Sequence, residues 1–380
     1  MNTRRYGRNT NIAIIACLCI FVLSSCEYHD RQHKLTQYED VKINPQKVYS
    51  SEDYFNHGMF NLNNKDYKNS ILNFDSAIQL KADYYLAWNG KGLANKKLGK
   101  NKEAIKCFAK AIEINPNYQE AWNNKGIALL ENKDYNEAIK CFDKALKINT
   151  ENTVARFNKG VALVKLGKPK EAIKYFDKAL KINPNYTEAW FNRGLALRSL
   201  GKTAEEMRSY KKAIELKPDY DEALFNSGYT LRNTGKPEDA IAFYDRALKV
   251  NPNYYEAWNN KGVALGDLDR ITEEIECYDR AISIKPDCFE AWNNKGVALE
   301  NAGKTEEGMK CFAKTLELKP DMGITWFNIA CVHAVKGSKI DMLASLKKSI
   351  DLERKNKEHA LSSPKFKWFW DDPDFLELVK

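Results

Sequence analysis

The sequence predicts an all-α solenoid of about nine helical hairpins closed by a C-terminal capping helix, and three observations carry that prediction. A phrase recurs every 34 residues, as in Glu120-Ala121-Trp122-Asn123-Asn124-Lys125-Gly126 and Glu290-Ala291-Trp292-Asn293-Asn294-Lys295-Gly296. Units start at Ser51, Tyr85, Gln119, Thr153, Thr187, Asp221, Tyr255, Phe289 and Gly323 with no insertion between them. Inside each unit, apolar and small residues fall at helical spacing, and glycine and proline punctuate two separate stretches.

With each unit numbered from 1 to 34, positions 4, 8 and 11 (Trp122, Gly126 and Leu129 in the third unit) lie on one stripe of a first helix. Glycine at position 8, as in Gly92, Gly160 and Gly262, lets a second helix approach, and alanine at position 20, as in Ala104 and Ala172, is expected to meet it. Glycine at position 15, as in Gly99, Gly167 and Gly235, suits the left-handed residue that ends the first helix. Asn-Pro-Asn-Tyr, at Asn115 to Tyr118 and Asn183 to Tyr186, stops the second helix and opens the next unit.

This frame, with proline at position 32 in Pro116, Pro184, Pro218, Pro252, Pro286 and Pro320, resembles the tetratricopeptide repeat over residues 51 to about 356. The resemblance implies a right-handed superhelix whose first helices line an inner wall that binds other proteins. Glu206 and Glu274 replace the alanine at position 20 and are expected to loosen their hairpins. The ninth unit has Ala330 at position 8 and Arg354 at position 32, as befits a terminal repeat. Residues 357–380, with Lys365-Phe366-Lys367-Trp368-Phe369-Trp370, read as a cap over the last hairpin; an aromatic patch for a membrane or partner is the other reading.

Ahead of the repeats, Arg4, Arg5 and Arg8 precede an apolar run from Ile12 to Leu23, then Ser24-Ser25-Cys26. The run is shorter than the roughly 20 residues a spanning helix needs, so residues 1–25 read as a signal peptide. Small residues before a cysteine resemble the bacterial lipobox, which implies a lipid on Cys26. An uncleaved signal anchor is the alternative, and either tethers the chain to a membrane. Residues 26–50 read as a flexible tether, and Glu27 after the cysteine favours the outer membrane of a cell envelope.

The 380 residues carry a formal charge of +9, part of it in the leader, and lysines alternate with glutamates as on solvated helices. No nucleic-acid partner is expected, because that would need the basic residues clustered on one side. The nine cysteines are no disulfide framework: Cys107, Cys141, Cys277 and Cys311 share one repeat position, and stacked helices hold such sites too far apart to bridge. The five histidines are scattered, no spacing suits zinc, and neither a metal, a cofactor nor an enzymatic activity is expected. Gly201-Lys202-Thr203 and Gly303-Lys304-Thr305 mimic the end of a phosphate loop but have Ala196 and Ala298 where its first glycine belongs, so they read as turns.

The candidate binding surface is the side of the first helices bearing positions 2, 5, 6, 9 and 13. Position 6 is asparagine in Asn56, Asn124, Asn158, Asn192, Asn226, Asn260, Asn294 and Asn328, with Gly90 the exception. A carboxamide can pair with both polar groups of a passing main chain. The column resembles the asparagine ladder in the repeat region of O-linked N-acetylglucosamine transferases, which implies capture of extended peptides. The bland alternative is that these asparagines bond water or neighbouring helices. Phe157, Phe191 and Phe225 at position 5 are candidates to receive apolar side chains. The clamp of chaperone adaptors is poorly matched, because position 5 holds Phe or Asn and never the lysine it requires. Lysine at position 7, as in Lys91, Lys159 and Lys295, reads as a salt-bridged row. Together these point to a membrane-anchored protein-interaction scaffold in envelope assembly or secretion, with a self-associating homo-oligomer as the alternative.

Overall fold

The computed structural model describes residues 49–380, whose regular structure is entirely helical. Among them, one compact unit ends at Leu216 and a second begins at Lys217. In the first, α1 (Ser51–Asn63) pairs with α2 (Tyr67–Leu80), α3 (Tyr85–Lys97) with α4 (Asn101–Ile114), and α5 (Gln119–Glu131) with α6 (Tyr135–Ile148). Two more hairpins follow, α7 (Thr153–Lys165) with α8 (Pro169–Ile182) and α9 (Thr187–Arg198) with α10 (Thr203–Leu216). In the second, α11 (Asp221–Asn233) pairs with α12 (Pro237–Val250), α13 (Tyr255–Asp267) with α14 (Ile271–Ile284), α15 (Phe289–Asn301) with α16 (Thr305–Leu318), and α17 (Gly323–Val335) with α18 (Lys339–Leu352). A short α19 (Asn356–Ser362), a 3-10 turn (Pro364–Phe369) and α20 (Pro373–Val379) complete it. Within each unit every helix packs chiefly on its sequence neighbours, the arrangement of a solenoid.

Every predicted unit start is the first residue of a first helix. The turn at position 15 is left-handed, with φ +75° at Gly99 and +72° at Gly167, and the amide three residues past the helix closes it, as Lys168 N donates to Leu163 O at 2.9 Å. Lys65, Lys133 and Asp269 hold the same turn at φ 63°, 67° and 62°, a conformation that costs a side chain about 1–2 kcal/mol. Gly201 and Gly303 sit in these turns too, as the sequence reading placed them. Successive hairpins are latched by the tryptophan at position 4. Its indole N–H donates to the carbonyl of the preceding proline, Trp122 to Pro116 at 2.9 Å and Trp258 to Pro252 at 2.9 Å.

The close approach inside each hairpin takes in the expected position 20 and a second position beyond it: the hydroxyl of Ser70 donates to Gly58 O at 2.8 Å, and a Cβ on Gly308 would lie 3.0 Å from Gly296 O. A Cβ on Gly126 would lie 2.5 Å from the ring of Phe142, and one on Gly262 2.6 Å from that of Tyr278. The position-8 glycines therefore also make room for an aromatic ring at position 24, one turn beyond the residue at position 20 that meets them as expected. A ring presents far more apolar area than a methyl group, so this contact contributes most of the hairpin core, beside the buried alanines at position 20. Position 24 is buried from Phe74 to Phe312.

The two glutamates at position 20 are also better accommodated than expected. Glu206 is buried, yet its Oε1 accepts from Arg198 Nε at 2.8 Å, and Glu274 accepts from the hydroxyl of Tyr278 at 3.2 Å. A paired or hydrogen-bonded carboxylate removes most of the burial penalty, and both hairpins close like their neighbours. At the C-terminus, Phe366, Phe369 and Phe375 bury themselves with Met342 and Leu346 of α18, while Trp368 stays 86% exposed. The aromatic run is thus mainly an internal plug with one outward ring.

Candidate functional site

The first helices of each unit lie side by side, so equal repeat positions form columns. Position 6 is less open than the sequence implied. Asn158, Asn192, Asn260, Asn294 and Asn328 are buried, and Asn56, Asn124 and Asn226 are partly so. Six of the carboxamide nitrogens are spent inside the protein, whereas that of Asn158 has no partner. Asn124, Asn294 and Asn328 donate to the Oδ1 of Asn89, Asn259 and Asn293, the position-5 asparagines of the preceding repeats, at 3.0, 3.1 and 3.1 Å. Asn192, Asn226 and Asn260 instead donate to the main-chain oxygens of Glu188, Glu222 and Glu256 one turn back, at 2.8, 2.6 and 2.8 Å.

The residue at position 5 of the repeat before limits the choice, although Asn158, which follows Asn123, makes neither bond. Asparagine offers an acceptor across the seam; phenylalanine offers none. Phe157 and Phe191 are buried, and Phe225 is half-buried. Phe157 sits between the rings of Phe176 and Tyr186, at centroid distances of 5.9 and 4.9 Å, and Phe225 between Tyr244 and Tyr254, at 5.9 and 5.0 Å. These phenylalanines fill the hairpin and do not face a trough. About 100° of turn per residue places position 5 on the edge of the packing stripe, and a large ring there is drawn into the seam.

One atom of several of these amides is left over. The Oδ1 of Asn192, Asn260 and Asn294 has no hydrogen-bond partner, and the Nδ2 of Asn158 and the Oδ1 of Asn123, which belong to neighbouring repeats, are unpartnered as well. Two positions named for the binding side without these roles decide much of the surface. Position 5 asparagine is the structural half of each Asn-Asn pair, a role signalled by the doublet in Trp-Asn-Asn-Lys-Gly. Position 2 is a half-buried carboxylate in Glu120, Glu188, Glu222, Glu256 and Glu290.

The lysines at position 7 form the predicted ion-paired row. Lys91, Lys261 and Lys295 reach Asp75, Asp245 and Asp279 of the preceding second helix at 2.5, 2.6 and 2.5 Å, and Lys159 pairs with Asp143. Several also lie over the tryptophan at position 4, as Lys261 does over Trp258 at 5.5 Å. Such half-exposed pairs set the register between hairpins more than they add stability.

The cysteines of the repeats are free thiols. Burial pushes the thiol of Cys141 up to about 11 and those of Cys277 and Cys288 to about 12, which keeps them protonated and unreactive at neutral pH. Among the described residues, no cluster of His, Cys, Asp and Glu is arranged to hold a metal ion, and no helix is long and apolar enough to cross a membrane. Cys26 and the leader lie outside the described residues.

Comparison with curated proteins finds none that matches. Among solved structures, YrrB, described as a TPR protein with an unusual peptide-binding site, is 27% identical; the match covers 48% of this chain and 95% of that one, with a TM-score of 0.41. MamA is 28% identical over 42% of this chain and 94% of its own, with a TM-score of 0.41. PilF of Pseudomonas aeruginosa is 18% identical over 53% of this chain and 92% of its own, with a TM-score of 0.48. Models of the tetratricopeptide repeat match residues 85–118, 120–152, 154–186, 187–220, 225–287 and 289–322. With those matches spanning more than half of the chain, and with the hairpin, its glycine and its ring recurring in the same register, the chain belongs to the tetratricopeptide repeat family, whose members bind other proteins or peptides.

Proposed function

We propose that this protein is an interaction scaffold that holds extended segments of other proteins along its first helices, tethered to a membrane of the cell envelope through a lipid on Cys26 in the service of envelope assembly or secretion. The observation that carries the binding reading is the repetition of one surface. Positions 2 and 9 of successive first helices recur in register, and they mix half-buried carboxylates with apolar residues that are half-buried at Leu93, Leu195 and Val297 and buried at Ile127, Val161 and Val263. If first helices repeat at about 8–10 Å, one such contact meets roughly every third residue of a strand that advances about 3.3 Å per residue.

The asparagine column enters this reading as scaffolding. Its buried amides fix the spacing of the first helices, so the surface presented to a ligand is preorganised. The tether reading is motivated by the order basic, apolar, small, cysteine at residues 4–26.

Two measurements test the proposal. Replacing Leu195 and Val297 by glutamate is expected to abolish capture of extended peptides from a synthetic array while far-UV circular dichroism stays unchanged. Unaltered capture by the helical variant ends the binding reading. Labelling of bacteria with a palmitate analogue is expected to mark the full chain and not its Cys26→Ala variant, and an unlabelled wild-type chain ends the tether reading.

A further inference from the structure

We propose that the tip of the ninth hairpin, where α17 turns into α18, docks on the same tip of a second copy of this chain in a two-fold contact centred on Trp368. Trp368, Ile340 and Val335 are 86%, 83% and 65% exposed, the three most exposed large apolar side chains among the described residues. Apolar residues exposed singly are ordinary; three at one tip mark a contact. This surface does not use positions 2 and 9 of the first helices, so it stands apart from the peptide-binding reading.

The fold brings the three together. Val335 ends α17, and Ile340 is the second residue of α18, just across the turn. The 3-10 turn that carries Trp368 is tied to the same end of the last two hairpins on either side of the ring. Before it, the ammonium of Lys365 stands 4.0 Å from Oε2 of Glu300, one residue short of the end of α15. After it, Asp372 and Asp374 accept from Lys339, the first residue of α18, at 2.6 and 2.8 Å. Phe366 and Phe369 are buried on the inner side of this segment, so Trp368 between them is held facing outward. Little ordering is left for a partner to impose.

The charges around the ring select the occupant. Lys336, Lys367 and Asp371 are exposed and take part in no salt bridge among the described residues, and Asp341 and Asp374 add exposed carboxylates to the same rim. Against an anionic bilayer, or a partner charged strongly with either sign, the lysines and aspartates oppose one another. A rim of both signs is instead complementary to itself. In a two-fold contact residue i meets j while j meets i, so Lys367 of each copy faces Asp371 of the other. An apolar centre built on tryptophan inside a polar rim has the composition of a protein–protein contact. Three side chains from each copy make a small centre, and the association is therefore weak and concentration-dependent.

The test is sedimentation equilibrium of the full chain in density-matched detergent over a series of concentrations. The mass is expected to rise from one chain to two. I340E and W368A, at exposed positions that leave the fold intact, are each expected to weaken the dimer at least about tenfold. The control L72E, at a residue 61% exposed on α2, is expected to change nothing. K367D and D371K are each expected to weaken it about fivefold, and their equimolar mixture to regain the strength of the unaltered chain. A chain that stays monomeric up to about 100 μM, a dimer indifferent to I340E and W368A, or a mixture without recovery overturns the proposal. So does flotation of a monomeric chain with phosphatidylglycerol vesicles that W368A abolishes, which assigns the tip to a lipid surface.

Discussion

Two kinds of junction between successive repeats stand side by side in this protein. Where position 5 is Asn89, Asn259 or Asn293, the next repeat's position 6 fastens across the seam, whereas Asn123 and Asn158 are left without that bond. Where position 5 is phenylalanine, as in Phe157 and Phe225, the ring packs between two aromatic neighbours and the next asparagine turns back to its own helix. The asparagine at position 6 is the same residue in the same column, yet it is a cross-repeat bond in one case and a local one in the other. The lesson is that a repeat position has no fixed role; its neighbour 35 residues earlier permits the cross-repeat bond or forbids it.

The comparison breaks most visibly at the ring. Phe157 is 2% exposed, and its replacement by alanine removes a buried ring from between Phe176 and Tyr186. A loss of about 3–5 kcal/mol is expected. In a solenoid the effect stays near the lesion, so native-state hydrogen exchange of α7, α8 and α9 should accelerate while α1 and α2 keep their protection. A loss below about 1 kcal/mol would mean that the ring is a passenger in the junction.

At an asparagine junction the corresponding change is smaller and polar in origin. Asn293 Oδ1 accepts from Asn328 Nδ2 at 3.1 Å and from Thr325 Oγ1 at 3.0 Å. Asn293→Ala strands both buried donors, at an expected cost of about 1–3 kcal/mol. Exchange of α17 amides reads it; if their protection is unchanged, apolar packing alone holds that junction.

Much of the fold was legible because period and punctuation are local signals. Unit starts, the left-handed turns at Gly99 and Gly167, and the ion-paired row at position 7 all follow from residue type and spacing along one helix. The site was harder to read. Helical geometry places positions 5 and 6 at the margin between seam and surface, and which way they fall depends on a residue one repeat away. Phe157 and Phe191 therefore went inside, and Asn192 and Asn294 acquired different partners. The ring at position 24, which joins position 20 against the glycine, escaped the sequence for a related reason: the sequence marks a small residue, but not how large a group fills the space it leaves.

A cleaner comparison needs equal turns. Repeat 3 ends its first helix on Lys133 at φ 67°, whereas repeat 4 uses Gly167 at φ 72°. Part of any stability difference between an asparagine-type and a phenylalanine-type repeat then belongs to the turn. Lys133→Gly relieves the left-handed strain and is expected to stabilise by about 1 kcal/mol, less the extra entropy that glycine gives the unfolded chain. A raised denaturation midpoint without a change in slope would confirm it, and a lowered one would show that the lysine stem contributes packing there.

The finest test puts one substitution into both kinds of junction. Asn294→Ala removes the donor that satisfies Asn259 Oδ1 and should cost about 1–3 kcal/mol, because a buried acceptor is left alone. Asn192→Ala removes a donor to Glu188 O, a main-chain oxygen of the helix interior, together with an Oδ1 that had no partner. No acceptor is orphaned there beyond what the helix already serves, and alanine has the higher helix propensity, so the expected cost is under about 1 kcal/mol. Hydrogen exchange of α9 and of α15 in the two variants measures the difference. Equal costs would mean that the column is fastened the same way throughout and that position 5 does not decide how its neighbour bonds.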